Sequence, residues 1–410
     1  MTSQTRTLID GQPYHADPYP LFAELTASGS IHPIDFPAVR AWLITGHNAA
    51  KRALIDPRLG KDHRRANLNF LANASIMPEP QHSQLQVHLL HRDPPRHSLM
   101  RPLVSAHFTA HRSENQRIDV RADVDALIDA LPTAAVDEPV DLVAEFASKL
   151  PMLVLARVIG LSDDLRDRFD PAWRTVVAPV PPGHPGRLRY ERLLTELQHY
   201  IAEVVDTATA STIIGTIAAA AATGDITPPE RDSMIFQLFA AGQDPVAAQL
   251  ELALIALFDH RNVLRRLIRE PDLMARAVEE LLRFDSAFNL ATWRFLDRED
   301  SIDGTEVPAG DSVIVALGAA NRDPEIFECP HTLRIDRDPN PHLAFGYGRH
   351  ACPAAALARI EIREALTALL TRLDGLRPGY RPGGLDWSPS PITRAVAALP
   401  VHYRQREARA

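Results

Sequence analysis

The chain has 410 residues, 45% of them hydrophobic, and a formal net charge of −8. It is long enough for a large core, and with no Ser/Gly-rich linker or repeat, one domain over 1–410 is at least as reasonable as two or three. The acidic balance speaks against nucleic acid, the lack of roughly 18 continuous apolar residues against a membrane span, and the two cysteines with no leader-like apolar core for a reducing cytoplasm.

Helical spacing of apolar residues dominates the chain. Ala41–Thr45 reads as an early strand. Asn67–Gln86 mixes asparagine, proline and isolated apolar residues, the composition of a binding loop or an ordinary surface connector. Asp93-Pro-Pro opens a helix that sets His97 and Arg101 four apart on one face. Such a pair is either solvated charge or two donors for a buried carboxylate. Val140–Val158 reads as helical, Val177–Gly186 is too rich in proline and glycine for a regular element, and Arg187–Ala208 is helical again.

The next helix starts at a capping box, Thr227-Pro-Pro-Glu230, and its pattern runs to about His260. At 1.5 Å per residue it would span about 50 Å. Pro245 lacks the N–H that would bond the Ala241 carbonyl, and Gly242 weakens the same turn. The helix is therefore expected to open between Ala241 and Pro245 with Asp244 beside the gap, or to be two helices joined at a kink. Glu280 and Arg283, three apart in the helical Asp272–Phe284, are close enough to pair; alone such a pair is a surface contact worth under about 1 kcal/mol. Turns at Asp303-Gly304 and Pro308-Ala-Gly310 precede a late strand, Ser312–Ala316.

The stretch His342-Leu-Ala-Phe-Gly-Tyr-Gly-Arg-His-Ala-Cys352 places one cysteine at the end of a loop loosened by Gly346 and Gly348. The helix that follows, Ala354 to about Leu373, has its apolar stripe at Ile362, Leu366, Leu369, Leu370 and Leu373, with Asp374-Gly375 as its stop. Cys352 thus sits at a helix N-terminus, which favours a thiolate able to bind a metal or attack an electrophile.

Four separated segments together resemble the cytochrome P-450 monooxygenases of the soluble bacterial type. Phe345–Cys352 resembles the haem-ligand loop, Glu280-Leu-Leu-Arg283 the E-x-x-R pair, Ala241-Gly-Gln-Asp244 the oxygen-activation turn, and Asp93-Pro-Pro with His97 and Arg101 the helix that holds the haem carboxylates. Ala320-Asn-Arg-Asp-Pro324, Pro308-Ala-Gly310, Asp17-Pro-Tyr-Pro20 and Trp42–Thr45 support the match in order along the chain. The resemblance implies a mainly α fold with small β-sheets, haem b lying between a long distal helix and a proximal Cys loop.

It also implies roles. Cys352 would be the thiolate ligand of the iron, with Phe345 packed near the sulfur and Gly346 and Ala358 beside the cofactor. His97, Arg101, Arg294 and His350 would bind the haem carboxylates. Glu280 and Arg283 would brace the loop; Ala241, Gly242, Asp244 and Pro245 would form the catalytic turn, with Asp244 relaying protons. The implied reaction is hydroxylation or oxidative coupling of a mid-sized, mostly apolar biosynthetic metabolite. Its pocket would be built from Asn67–Gln86, Val177–Gly186, the distal turn and Phe288–Thr292. Electrons would come from ferredoxin and ferredoxin reductase, docked on a basic face of Arg349, Arg359 and Arg363.

The chain departs from the family twice. Where a threonine usually follows the acidic residue of the distal turn, Pro245 keeps the opening and loses the alcohol, so a substrate hydroxyl or an ordered water would complete the proton path. A peroxide-driven peroxygenase, a non-catalytic haem-thiolate sensor, and a cysteine nucleophile with His350 as base are the alternatives. After the cysteine, Pro353-Ala354 replaces an apolar residue and glycine. Pro353 deletes a backbone donor near the sulfur, which would make the sulfur a stronger donor and lower the iron potential if that amide normally bonds the thiolate.

Overall fold

The computed structural model describes residues 7–36, 39–73, 84–132, 138–177, 180 and 183–405. Its larger sheet has six strands: β1 (Thr7–Leu8), β2 (Ile31–Asp35), β3 (Arg40–Ile44), β4 (Leu59–Gly60), β6 (Arg294–Leu296) and β9 (Ser312–Val315). Their order is β1-β2-β3-β9-β6-β4, with β1–β2 and β3–β9 parallel and the other pairs antiparallel. β3 and β9 carry the two apolar runs legible in the sequence. Both are interior strands with almost every residue buried, which is why they read as continuous rather than alternating. β5 (Val140–Asp141), β10 (Leu373–Pro378) and β11 (Pro400–Gln405) form a three-stranded sheet in the order β10-β11-β5, and β7 (Asp300–Ile302) pairs with β8 (Thr305–Val307).

Six helices position the site: α1 (Arg96–Ser105), α2 (Lys149–Ile159), α3 (Pro228–Gly242), α4 (Asp244–Asp259), α5 (Met274–Phe284) and α6 (Ala355–Arg372). α4 is buried nearly all round, from Val246 to Phe258, as expected of a helix through the centre of a helical body. Leu250, Leu254 and Leu257 of α4 share one apolar core with Val154 of α2, Leu281 of α5, and Leu366 and Leu369 of α6. Among the described residues no helix is long and apolar enough to cross a membrane.

Two expectations about elements are corrected, and one left open is decided. Val140–Val158 is not one helix: Val140–Asp141 pairs with β11 from the far end of the chain, Val143–Ala147 is a π-helical turn, and α2 begins only at Lys149. Of the two alternatives for Pro228–His260, the structure has the second, two helices meeting at a break. Asp374-Gly375 is not the stop of α6, which ends at Arg372; Leu373 already pairs with Gln405, and Gly375, at φ +66°, lies in the irregular register between Asp374 and Arg377. The Asn67–Gln86 loop contains a helix, Leu68–Asn73, and a 3-10 turn, Gln84–Gln86, while residues 74–83 lie outside the described residues. Of Val177–Gly186, residues 178–179 and 181–182 likewise lie outside them.

Candidate active site

The cysteine loop is set by its glycines. Gly346 and Gly348 have φ of +71° and +76°, and a Cβ on Gly348 would lie 2.7 Å from Ile55 Cγ2. The turn closes through Gly346 N–H to the Leu343 carbonyl at 2.8 Å and Cys352 N–H to the Phe345 carbonyl at 2.9 Å. Cys352 keeps solvent-accessible surface, yet desolvation dominates its electrostatics, so the surface it keeps is closely surrounded by protein. Burial pushes the thiol up, while a hydrogen bond from the Ala354 amide and the charges of Arg101 and Arg359 favour the thiolate. Pro353 has no N–H to offer, so the donor after the cysteine is Ala354. Ala358, one turn into α6, is buried, and its N–H bonds the Ala354 carbonyl.

Cations gather on one side of this loop. His97, in the first turn of α1, and His350, two residues before Cys352, have ring centroids 4.4 Å apart. Among the described residues, neither buried Nε2 has a hydrogen-bond partner. Arg294 of β6 is buried, donates to the Thr292 carbonyl at 3.3 Å, and is pulled down to about 10 by burial despite the opposing Asp93. Arg101 donates to the Ala351 carbonyl at 2.7 Å. Burial and the charges of Lys61, His97, Arg294 and Arg349 hold His350 down to about 2. Two arginines and an arginine-flanked pair of imidazoles, each with an orphaned ring nitrogen, thus converge with Asp93 as the nearby carboxylate. This donor set fits a group that brings two carboxylates of its own, and the sulfur fits an iron ligand beside them.

Lys61, which the sequence reading passed over, belongs to the same cluster. It is 1% exposed, and its Nζ donates to Thr292 Oγ1 at 2.6 Å and to the Trp293 carbonyl. Its backbone N–H bonds Asp93 at 3.0 Å. The only available signal was its rarity, one of three lysines in an arginine-rich chain. His63, His88 and His91 cluster beside it as tilted rings, with centroids 3.9 Å apart for His63–His91 and 4.3 Å for His88–His91.

Across the interior, α3 and α4 meet at Gln243, whose φ of −113° and ψ of −68° interrupt the helix. Gln243 Nε2 donates to the Phe239 carbonyl at 3.1 Å, satisfying an acceptor at the end of α3. Gly242 packs closely on α2: a Cβ there would lie 2.8 Å from Leu155 Cδ1 and would displace the end of that side chain. Pro245 falls in the first turn of α4, where a missing N–H costs nothing, so it starts a helix rather than breaking one. Ala241 retains accessible surface. The Asp244 side chain is 58% exposed and ion-paired with Arg174. Phe288–Thr292 is held beside the 390s, with Phe288 bridged to Thr393 and the Asn289 amide bonded to the Ile392 carbonyl at 3.1 Å.

Glu280 and Arg283 are both 0% exposed, which corrects the reading of that pair, taken alone, as a surface contact. Glu280 receives Arg283 Nε at 2.7 Å and Nη2 at 2.8 Å, Arg337 Nε at 3.0 Å, Asn340 Nδ2 at 3.2 Å and the Arg334 amide at 2.8 Å. Arg283 in turn bonds the carbonyls of Asn321 and Pro330 at 2.9 Å. The pair therefore ties α5 to the segment that leads into the cysteine loop. Of the three arginines read as a basic face, Arg359 is engaged by Glu279, Arg363 lies by Glu364 and Glu114, and Arg349 is exposed, with a field that reaches His97 and His350.

A family model described as Cytochrome P-450 matches residues 218–378. The chain is 35% identical to the cytochrome P-450 monooxygenase PikC of Streptomyces venezuelae over 405 residues, 97% of this chain and 94% of that protein. It is 30% identical to 6-deoxyerythronolide B hydroxylase of Saccharopolyspora erythraea, covering 96% of this chain and 98% of that protein. Among solved structures, the tirandamycin C-bound monooxygenase TamI superposes with a TM-score of 0.85 at 32% identity, over 97% of this chain and 99% of that one.

Proposed function

This chain belongs to the cytochrome P-450 family, and from that premise we propose that it oxidises a mid-sized, mostly apolar biosynthetic metabolite whose own hydroxyl, or an ordered water, supplies the protons. Members of the family are oxidoreductases that bind haem b through a cysteine thiolate, and the bound haem supplies the dioxygen and one-electron chemistry. Cys352 would hold the iron, and His97, Arg101, Arg294 and His350 the two carboxylates. Arg101 bonds the Ala351 carbonyl and His350 is itself part of the cysteine loop, so cofactor seating and loop geometry would be fixed together.

The turn at Gln243–Pro245 carries the proposal. Three side chains there bear on proton supply, and none presents a free alcohol. Pro245 has no donor, the Gln243 amide is spent on the Phe239 carbonyl, and Asp244 is held by Arg174. A proton entering through Asp244 must first leave that ion pair and then pass through a group the turn itself does not provide. Two relatives point to small-molecule metabolites, one named as a hydroxylase of 6-deoxyerythronolide B and one solved with tirandamycin C bound. Hydroxylation and oxidative coupling share this requirement for controlled protons, and both stay within the proposal. Electrons would come from ferredoxin and ferredoxin reductase, with the exposed Arg349 the best-placed docking charge because Arg359 is paired with Glu279 and Arg363 with Glu364 and Glu114.

The test is product formed per NAD(P)H consumed, with ferredoxin and its reductase as electron source, for wild type and Pro245→Thr on the native substrate. The expected result is that the threonine variant couples no better than wild type. Better coupling in Pro245→Thr would show that the alcohol was wanted and that the substrate does not replace it. Absence of ferredoxin-supported turnover in the wild type would remove the electron-donor part.

A further inference from the structure

Glu279 and Glu280 are neighbours on α5 with different partners. Glu280 serves the buried arginine network, whereas Glu279 reaches the cysteine loop and α6. Its Oε1 accepts from Arg359 Nε at 2.6 Å and its Oε2 from Arg359 Nη2 at 2.9 Å. Oε2 also lies 3.0 Å from His342 Nε2. The Ala344 amide donates to His342 Nδ1 at 3.2 Å, which leaves the ring proton on Nε2, aimed at Glu279. Arg359 is also held from two further sides. Its Cζ lies 4.5 Å from the Phe345 ring centroid, and its Nη1 bonds the Ala355 carbonyl at 3.3 Å. Phe345 is the residue whose carbonyl receives the Cys352 N–H. A guanidinium fixed by a carboxylate fork, an aromatic face and the first turn of α6 is placed to act inward, on the loop.

We propose that Glu279, acting through Arg359, is a positioning residue that sets the charge environment of the Cys352 thiolate and thereby the reduction potential of the iron it holds. The proposal rests on the haem-thiolate reading and extends it to a carboxylate outside the E-x-x-R pair. Its sign follows from electrostatics. The Arg359 charge stabilises charge on the sulfur, weakens its donation to iron and favours the reduced state; the Glu279 charge partly cancels that field. Removing the two charges one at a time must therefore move the potential in opposite directions, whereas loss of a merely structural brace has no reason to do so.

The experiment uses the full-length ferric holoenzyme and its Glu279→Gln, Arg359→Met and Arg359→Lys variants. Midpoint potentials are read by spectroelectrochemistry, and the reduced carbon-monoxide spectrum reports whether the thiolate remains bound. The expected result is a more positive potential in Glu279→Gln, a more negative one in Arg359→Met, and a return toward wild type in Arg359→Lys, each with a thiolate-type spectrum. Shifts in the same direction, or no shift in either neutralising variant, would overturn the proposal. If Glu279→Gln does not retain haem, the arginine pair decides: a lowered potential in Arg359→Met that Arg359→Lys restores supports it, and equal potentials overturn it. A wild-type protein without the thiolate-type spectrum would instead overturn the haem-thiolate reading, so the two failures are distinguishable.

Discussion

At the scale of single residues, the fully buried Glu280 carboxylate gathers Arg283 from its own helix and Arg337 and Asn340 from over fifty residues away. Two buried guanidinium groups on one buried carboxylate mean that its removal leaves uncompensated charge in the interior. Glu280→Ala is expected to lower stability by about 3–5 kcal/mol, measured as the loss in urea unfolding free energy of the full chain. Cys352 before a helix, His97 and Arg101 on one helical face, and Glu280 with Arg283 are visible in the sequence as local patterns, whereas the burial of the last pair depends on the distant Arg337 and Asn340. Lys61 and Glu279 escaped the sequence for the same reason: each is defined by partners distant in the chain. The proline after Cys352 makes a second prediction here. Ala354 already donates to the sulfur, so Pro353→Leu would add a second amide and should move the iron potential in the positive direction. An unchanged or more negative value in spectroelectrochemistry would count against this account of Pro353.

At the scale of elements, periodicity located helices well and their interruptions poorly. The pattern from Pro228 to His260 is continuous because both halves contribute to the same core, α3 with part of its surface and α4 nearly all round. Proline marked the discontinuity, and the tertiary contact at Gly242 shows why the two pieces meet where they do. The tip of Leu155 of α2 occupies the space of a side chain at that position, so a larger residue there must displace it. Gly242→Ala gains up to about 1 kcal/mol in helix propensity but forces Leu155 to move within a packed core, a cost of about 1–3 kcal/mol. The net expectation is a destabilisation of up to about 3 kcal/mol in chemical unfolding. An alanine variant more stable than wild type would mean that Leu155 repacks freely and that the glycine answers to something other than packing. The misread Val140–Val158 segment has a different cause. Its first residues are apolar enough for a helix, but β11, arriving from residues 400–405, captures Val140–Asp141 into a sheet that local sequence cannot reveal.

At the scale of the whole molecule, buried titratable groups make stability depend on pH in two stages. Burial holds His63 and His88 down to about 3, with Lys61 and Arg92 adding to both, and burial with the charges of His88, His63 and Lys61 holds His91 well below its ordinary value. Their folded values lie below the unfolded value near 6.5, so the unfolded chain binds the extra protons, and stability is lost as pH falls from about 6.5 toward 3. Glu251 and Glu361 act in the opposite sense. Burial raises Glu251 to about 7, with Asp141 and Asp244 adding to it, and raises Glu361 well above the carboxylate range. Between about 4.5 and 6.5 the folded chain therefore keeps protons on these two carboxyls that the unfolded chain gives up, which offsets much of the histidine effect. Below about 4.5 that offset disappears, because both carboxyls are then neutral in either state. There the ion-paired Glu230 and Glu279, each held near 2 by hydrogen bonds and arginine charge that outweigh the opposing effect of burial, begin to lose their partners as well. Unfolding free energy measured against pH should accordingly decline gently from 6.5 to 4.5 and steeply below. Glu251→Gln removes one offsetting group, so it should steepen the upper stage by up to about 1.4 kcal/mol per pH unit while leaving the slope below 4.5 unchanged. An upper stage that keeps its slope in this variant would mean that Glu251 is ionised in the folded chain, with the Val396 amide holding a carboxylate rather than a carboxylic acid.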